Sequence, residues 1–193
     1  EGFVKALNGV YIELNTNELY GRNLTAGALD VMGQYYSVAS SSHAFYNYGG
    51  LVYTGNDEKA LFDNMWQKCY AVIACCNTII EKCDENKAGL SPVWKGSIKG
   101  EALALRAMLH FEMLRLFGPL TSELDKESIP YQTNSDQTVT PLLSGSEVIG
   151  LILDDLKNAV GLLKDTDPYF VEEEFSDTDL NYRRFRMNYF AAK

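Results

Sequence analysis

No run in this 193-residue chain reaches the roughly 18 uninterrupted apolar residues that a membrane-spanning helix needs, because charged or amide side chains break every hydrophobic stretch. Basic residues are also in deficit. Seventeen Lys and Arg stand against 26 Asp and Glu, and the formal charge of -9 repels a phosphate backbone, which argues against nucleic acid as a partner. Histidine is nearly missing, with only His43 and His110, and no HExxH, GxSxG or phosphate-cradling glycine loop accompanies them. The chain is therefore read as a non-enzyme, with no catalytic residue, metal site or cofactor. Strand-like alternation is absent over any useful length, which points to an all-α fold. An initiator Met and a leader are lacking before Glu1. No Gly or Pro stop follows RRFRMNYFAAK at residues 183–193, whose Ala, Met and aromatic content suits an opening helix. The chain is expected to be one helical domain over 1–193, truncated at both ends.

Cysteine is present in a form that excludes the usual uses. Cys69, Cys76 and Cys83 are seven residues apart within one helical pattern, a helical rise of about 10 Å, whereas a disulfide needs Cα atoms within about 7 Å. That spacing is also too long for a compact zinc site on one helix, and no histidine lies nearby. With Cys75, they read as buried free thiols acting as small hydrophobes.

What is present is mostly amphipathic helix, since 46% of residues are hydrophobic and 22% charged. Apolar residues at three-to-four spacing predict a helix over residues 2–20, ended by Gly21, and another over 28–38. A first long loop, about 40–55, carries Tyr46-Asn47-Tyr48-Gly49-Gly50. Asn56 can cap the next helix, with Asp57 and Glu58 in its first turn, and Trp66, Tyr70, Ile73, Asn77 and Ile80 recur on one face to about Glu85. Ser91-Pro92 opens a helix that Gly118-Pro119 stops. Its apolar residues nearly encircle it, so burial between neighbours is expected. A second long loop, about 120–143, contains Ile129-Pro130-Tyr131. Ser144 and Glu147 then form a capping box ahead of a strongly periodic helix through Leu163. The unit from about 56 to 118 is a helix-turn-helix of tetratricopeptide-like size.

Three segments together resemble the SusD/RagB family of Bacteroidetes lipoproteins. They are Trp66, Tyr70, Ile73, Asn77 and Ile80; then Gly100-Glu101-Ala102 through Leu105-Arg106-Ala107 and Phe111 to Leu116-Phe117-Gly118-Pro119; then Val148 to Leu163 with Asp154-Asp155-Leu156. Ile129-Pro130-Tyr131 falls between the last two, and Arg186, Asn188 and Ala191 resemble the start of the next family helix. The resemblance implies tetratricopeptide-like helical pairs in a lipid-anchored, surface-exposed outer-membrane protein. It implies a non-catalytic component that captures oligosaccharide or another nutrient for a SusC-like TonB-dependent transporter. The membrane would be met only through a lipid anchor outside this chain. A tetratricopeptide-like protein-interaction scaffold without a sugar site is the alternative reading.

Sugar faces stack on aromatic rings while their hydroxyls need amides or carboxylates. Tyr46, Asn47, Tyr48 and Tyr53 in the first loop, with Asp30 ahead of it, are the candidate ligand-binding residues, although tyrosines in such a loop also serve simply to pin it down. Trp66 and Tyr70 read as core. Arg106 reads as a buried cation paired with a carboxylate or carbonyls; Glu101, five residues away, is poorly spaced to be that partner on one helix. His110 reads as a core histidine. Asp154 and Asp155 diverge around their helix and form no acid/base pair. Glu172-Glu173-Glu174 reads as a solvated run, without the spacing of a calcium loop.

Overall fold

The computed structural model describes residues 1–136, 138–171 and 185–193. Its helices are α1 (Gly2–Leu14), α2 (Ala28–Met32), α3 (Tyr46–Gly49), α4 (Asn56–Glu85), α5 (Pro92–Phe117), α6 (Gly145–Thr166), α7 (Pro168–Val171) and α8 (Tyr189–Ala192). The acidic run at 172–174 and the first part of the 183–193 segment lie outside the described residues. Two compact units are distinguished, one comprising Glu1–Leu7 with Ile73–Lys193 and the other Asn8–Val72.

In the first unit the helix starts are chemical. Ser91 accepts the Trp94 N–H, with Pro92 at the first helical position, and Ser144 and Glu147 form a complete capping box. Lys99 on α5 reaches Asp84 near the end of α4 at 2.6 Å. Buried side chains occupy every side of α5, from Ala102 and Leu103 to Leu105 and Leu109, as its all-round apolar pattern requires. It packs against α6, where glycines leave room. A Cβ on Gly100 would stand 2.8 Å from Leu163 Cγ and 3.3 Å from the Ala159 carbonyl, and one on Gly96 would stand 2.6 Å from Thr166 Cγ2. Gly150, by contrast, faces open space. Gly150→Ala is therefore expected to stabilise the chain by up to about 1 kcal/mol through helix propensity. Gly100→Ala should instead cost about 1–3 kcal/mol by overpacking the crossing. Urea unfolding of both variants compares the two, and a stabilising Gly100→Ala would show that the crossing opens freely.

Within the second long loop, β1 (Glu127–Pro130) and β2 (Leu142–Ser144) make a short antiparallel ribbon with an irregular register. This short ribbon leaves the all-α class standing. Strands of four and three residues are too short to show a period of two.

The buried stripe of α4 runs through Met65, Cys69, Val72, Cys76, Ile79 and Cys83, with Ile73, Asn77 and Ile80 beside it. Trp66 and Tyr70 flank this stripe half-buried, their rings 4.7 Å apart and tilted by 39°. Three thiols are buried and form no disulfide among the described residues, and burial pushes the Cys76 thiol up to about 12. Cys75 departs from the expectation because it sits off the stripe, exposed.

In the second unit, α1 ends at Leu14 rather than Tyr20. Thr16 turns its hydroxyl back to the Glu13 carbonyl at 3.0 Å, and the Leu14 carbonyl accepts the Tyr20 N–H, so residues 15–27 run as consecutive turns. Helix α2 is likewise shorter than 28–38, stopping at Gly33. Gln34 follows with φ 60°.

Candidate functional site

Residues 28–62 of the second unit form a fastened loop system. Ala28, Val31 and Tyr48 are its buried centre, with Met32, Val38, Phe45, Tyr53, Leu61 and Phe62 packed around them. The rings meet edge to face: Tyr48 lies 5.8 Å from Phe45 and 6.0 Å from Phe62, and Tyr53 lies 5.4 Å from Phe62 at 90°. Polar ties close the frame. Asn47 Nδ2 donates to Glu58 Oε1 at 2.8 Å, and the Glu58 side chain folds back over Gly55, where a Cβ would collide with its carboxylate. Helix α4 begins one residue later, at Asn56, with the Gly55 carbonyl accepting the Lys59 N–H. Gln34 Nε2 donates to the Gly49 carbonyl at 3.0 Å, tying the end of α2 to α3.

The five candidate residues separate by what they touch. Tyr48 is 2% exposed, its ring enclosed, and burial followed by the Glu58 and Asp57 charges pushes its phenol up to about 12. It anchors the loop and offers no ring face in this structure. Tyr53 is half-buried against Phe62, and burial raises its phenol as well. Asn47 is exposed but held by Glu58. Tyr46 is 42% exposed, and the half-exposed Asp30 carboxylate has no partner among the described residues. Of the five, these two side chains are left available to a ligand. Tyr35 and Tyr36, at 83% and 43% exposure, were not singled out from the sequence because the helix predicted over 28–38 absorbed them. Gly33 was the signal that they lie beyond it.

The first unit holds a buried polar node under the second loop. Arg106 grips Asp155 with two bonds of 2.7 Å, from Nε to Oδ2 and from Nη2 to Oδ1. Its Nη1 donates to Asn77 Oδ1 at 2.9 Å and to the Thr133 carbonyl at 3.3 Å. Tyr131 donates its hydroxyl to Asp155 at 2.6 Å, and Asn77 Nδ2 donates to the Gln132 and Asn134 carbonyls. His110 stacks on Tyr131 with ring centroids 3.9 Å apart. Its Nδ1 faces the Arg106 carbonyl at 2.9 Å while Nε2 accepts the Gln132 N–H at 3.0 Å, an arrangement that a neutral ring protonated at Nδ1 satisfies. Burial accordingly holds the imidazole down at about 4. The burial of Arg106 works against its charge, but Asp155 outweighs it and raises the guanidinium.

Glu101 pairs instead with Arg186 at 2.6 Å. Asp154 points outward to Lys157 while Asp155 points inward, as adjacent helical positions must. The node is fully engaged in holding residues 131–135, and Ser135 is also bonded to Glu81. Among the described residues no cluster of His, Cys, Asp or Glu could hold a metal, and no helix is long and apolar enough to cross a membrane.

Over residues 5–176 the sequence matches the SusD-like family described as starch-binding and associating with the outer membrane. A SusD-like protein of Formosa agariphila is 33% identical over 96 residues, which is 49% of this chain and 17% of that protein. One from Bacteroides ovatus is 30% identical over 110 residues, 55% of this chain and 19% of the relative. Solved SusD superfamily proteins from Bacteroides thetaiotaomicron and Bacteroides vulgatus share the fold, with TM-scores of 0.69 and 0.71 and identities of 21% and 20%. The superposition covers 99% of this chain in both cases and 40% of each of those proteins.

Proposed function

Since the chain belongs to the SusD-like family, we propose that it is the helical part of a non-catalytic glycan-capture protein and that its own share of the ligand site is the loop system of residues 28–62. The carrying observation is that a rigidly fastened loop leaves the Tyr46 ring and the Asp30 carboxylate uncommitted while Phe45, Tyr48, Tyr53 and Phe62 pack inward. An open ring and an open carboxylate on one loop system are what a saccharide's apolar face and hydroxyls require. In the whole protein this site would face outward from the outer membrane, held there by a lipid anchor, and would deliver its ligand to a SusC-like TonB-dependent transporter.

Titration with a panel of oligosaccharides, read by two-dimensional NMR, tests the site. Shifts are expected at Tyr46, Asn47, Tyr53 and Asp30, and Tyr46→Ala with Asp30→Asn should weaken binding by about 1–3 kcal/mol together. Leu51 and Val52, 59% and 48% exposed in the same segment, favour a second reading as a protein-contact surface. Silence across the panel would leave that scaffold reading in possession.

A further inference from the structure

We propose that Tyr35 supplies the principal stacking face of this site and that the site selects neutral over anionic saccharides; this rests on the capture reading above.

Tyr35 is presented by backbone geometry rather than by helix. The chain leaves α2 at Gly33 and reverses through Gln34, whose φ of 60° lies in the left-handed region. Such a conformation costs a non-glycine residue about 1–2 kcal/mol, and it persists where the surroundings impose it. Here the Gln34 side chain is bonded to both the Val31 and Gly49 carbonyls, at 3.3 and 3.0 Å. Leu51, with φ 55°, carries a second such residue in the same loop system.

The ring then lies against bare glycine backbone. A Cβ on Gly33 would stand 3.1 Å from both Cδ2 and Cε2 of Tyr35, so the lack of a side chain makes room for the ring on that side. Its remaining surface is open, at 83% exposure. The neighbouring Tyr36 is tied down by its hydroxyl to the Ala26 carbonyl, whereas the Tyr35 and Tyr46 side chains have no hydrogen bond or ring contact among the described residues. Because the Gln34–Gly49 bond joins the segment carrying Tyr35 to the turn carrying Tyr46, two open rings belong to one fastened frame.

Charge sets the ligand class. Asp30, Asp57 and Glu58 stand in residues 28–62, with Asp63 directly after them, and Lys59 is the one basic residue in that stretch. Arg22, outside that stretch, lies over the Phe45 ring at 5.8 Å. Carboxylates accept hydrogen bonds from neutral hydroxyls and repel uronates or sulfate esters, and this excess of negative charge adds to the net charge of the whole chain.

Affinity electrophoresis of the 193-residue chain at low salt, in gels holding starch, xylan or mannan against gels holding dextran sulfate or polygalacturonate, tests both parts. At least one neutral polymer is expected to retard the chain and the anionic polymers are not. Tyr35→Ala should weaken that retention about tenfold or more, with Tyr35→Phe near wild type, since the ring face and not the hydroxyl is used. Gly33→Ala, which displaces the ring without leaving an allowed backbone region, should weaken it as well. Unchanged retention in Tyr35→Ala, or retention by an anionic polymer as strong as by a neutral one, would overturn the proposal while leaving glycan capture standing. Absence of retention by every polymer would overturn the capture reading itself.

Discussion

Replacing Arg106 with leucine is expected to destabilise the chain by about 3–5 kcal/mol, because it strands the Asp155 carboxylate in a site where that carboxylate is only 9% exposed. The loss is not confined to one ion pair. Arg106 also holds Asn77 and the Thr133 carbonyl, so the strap from Tyr131 to Ser135 loses its floor. Hydrogen exchange at the Gln132 and Ser135 amides, which donate to His110 and Glu81, should accelerate together with the fall in urea midpoint. The reciprocal Asp155→Leu strands the guanidinium and should cost a similar amount. The double variant removes both charges and is expected to lose clearly less than the sum of the two singles. Simple additivity in that cycle would show that the two charges are not coupled and would sink this account of the node.

The second large effect is a proton linkage at His110. Its folded pKa of about 4 lies below the ordinary value of 6.5, so between those limits the unfolded chain binds a proton that the folded chain refuses. Stability from this residue is thus fully present above pH 6.5 and is lost as pH falls towards about 4, by roughly 3 kcal/mol in all. Burial of the ring is the main cause, and the hydrogen-bond geometry at Nε2 acts in the same direction. A second ring proton on Nε2 would face the Gln132 N–H, donor against donor, beside the Arg106 charge. Urea unfolding at pH 7.5, 6, 5 and 4 should show the decline, and His110→Gln should flatten it while lowering stability at pH 7.5. An equal slope in the variant would assign the linkage to other groups.

Much of this was legible without coordinates where the signal is local. The Ser144–Glu147 capping box and the apolar period that follows placed α6, and Ser91-Pro92 with Gly118-Pro119 bounded α5 to within a residue. The near-complete apolar ring of α5 foretold its burial, and through it the need for Arg106 to find a partner. Which partner was not legible. Asp155 lies 49 residues away on α6 and is flanked by Asp154, identical in kind and exposed, and only the rotation of α6 against α5 distinguishes them. The same applies to Glu101, whose partner Arg186 is 85 residues distant.

The tyrosines show the limit more sharply. Tyr46 and Tyr48 are two residues apart in one polar, glycine-bearing stretch, and nothing in that stretch says which is enclosed. One short helical turn, α3, separates their directions, and the Val31 and Phe62 side chains brought in by α2 and α4 take Tyr48. Tyr35 was hidden by a periodicity that continues past Gly33 although the helix does not.

By itself the sequence determined the all-α class of tetratricopeptide-like helical pairs, the negative charge and the family, because helix period, caps and composition act over a few residues. Tertiary structure alone decided which carboxylate neutralises Arg106 and which ring faces remain open for a ligand. Burial is a property of what other segments bring to a side chain, and those segments come from tens of residues away.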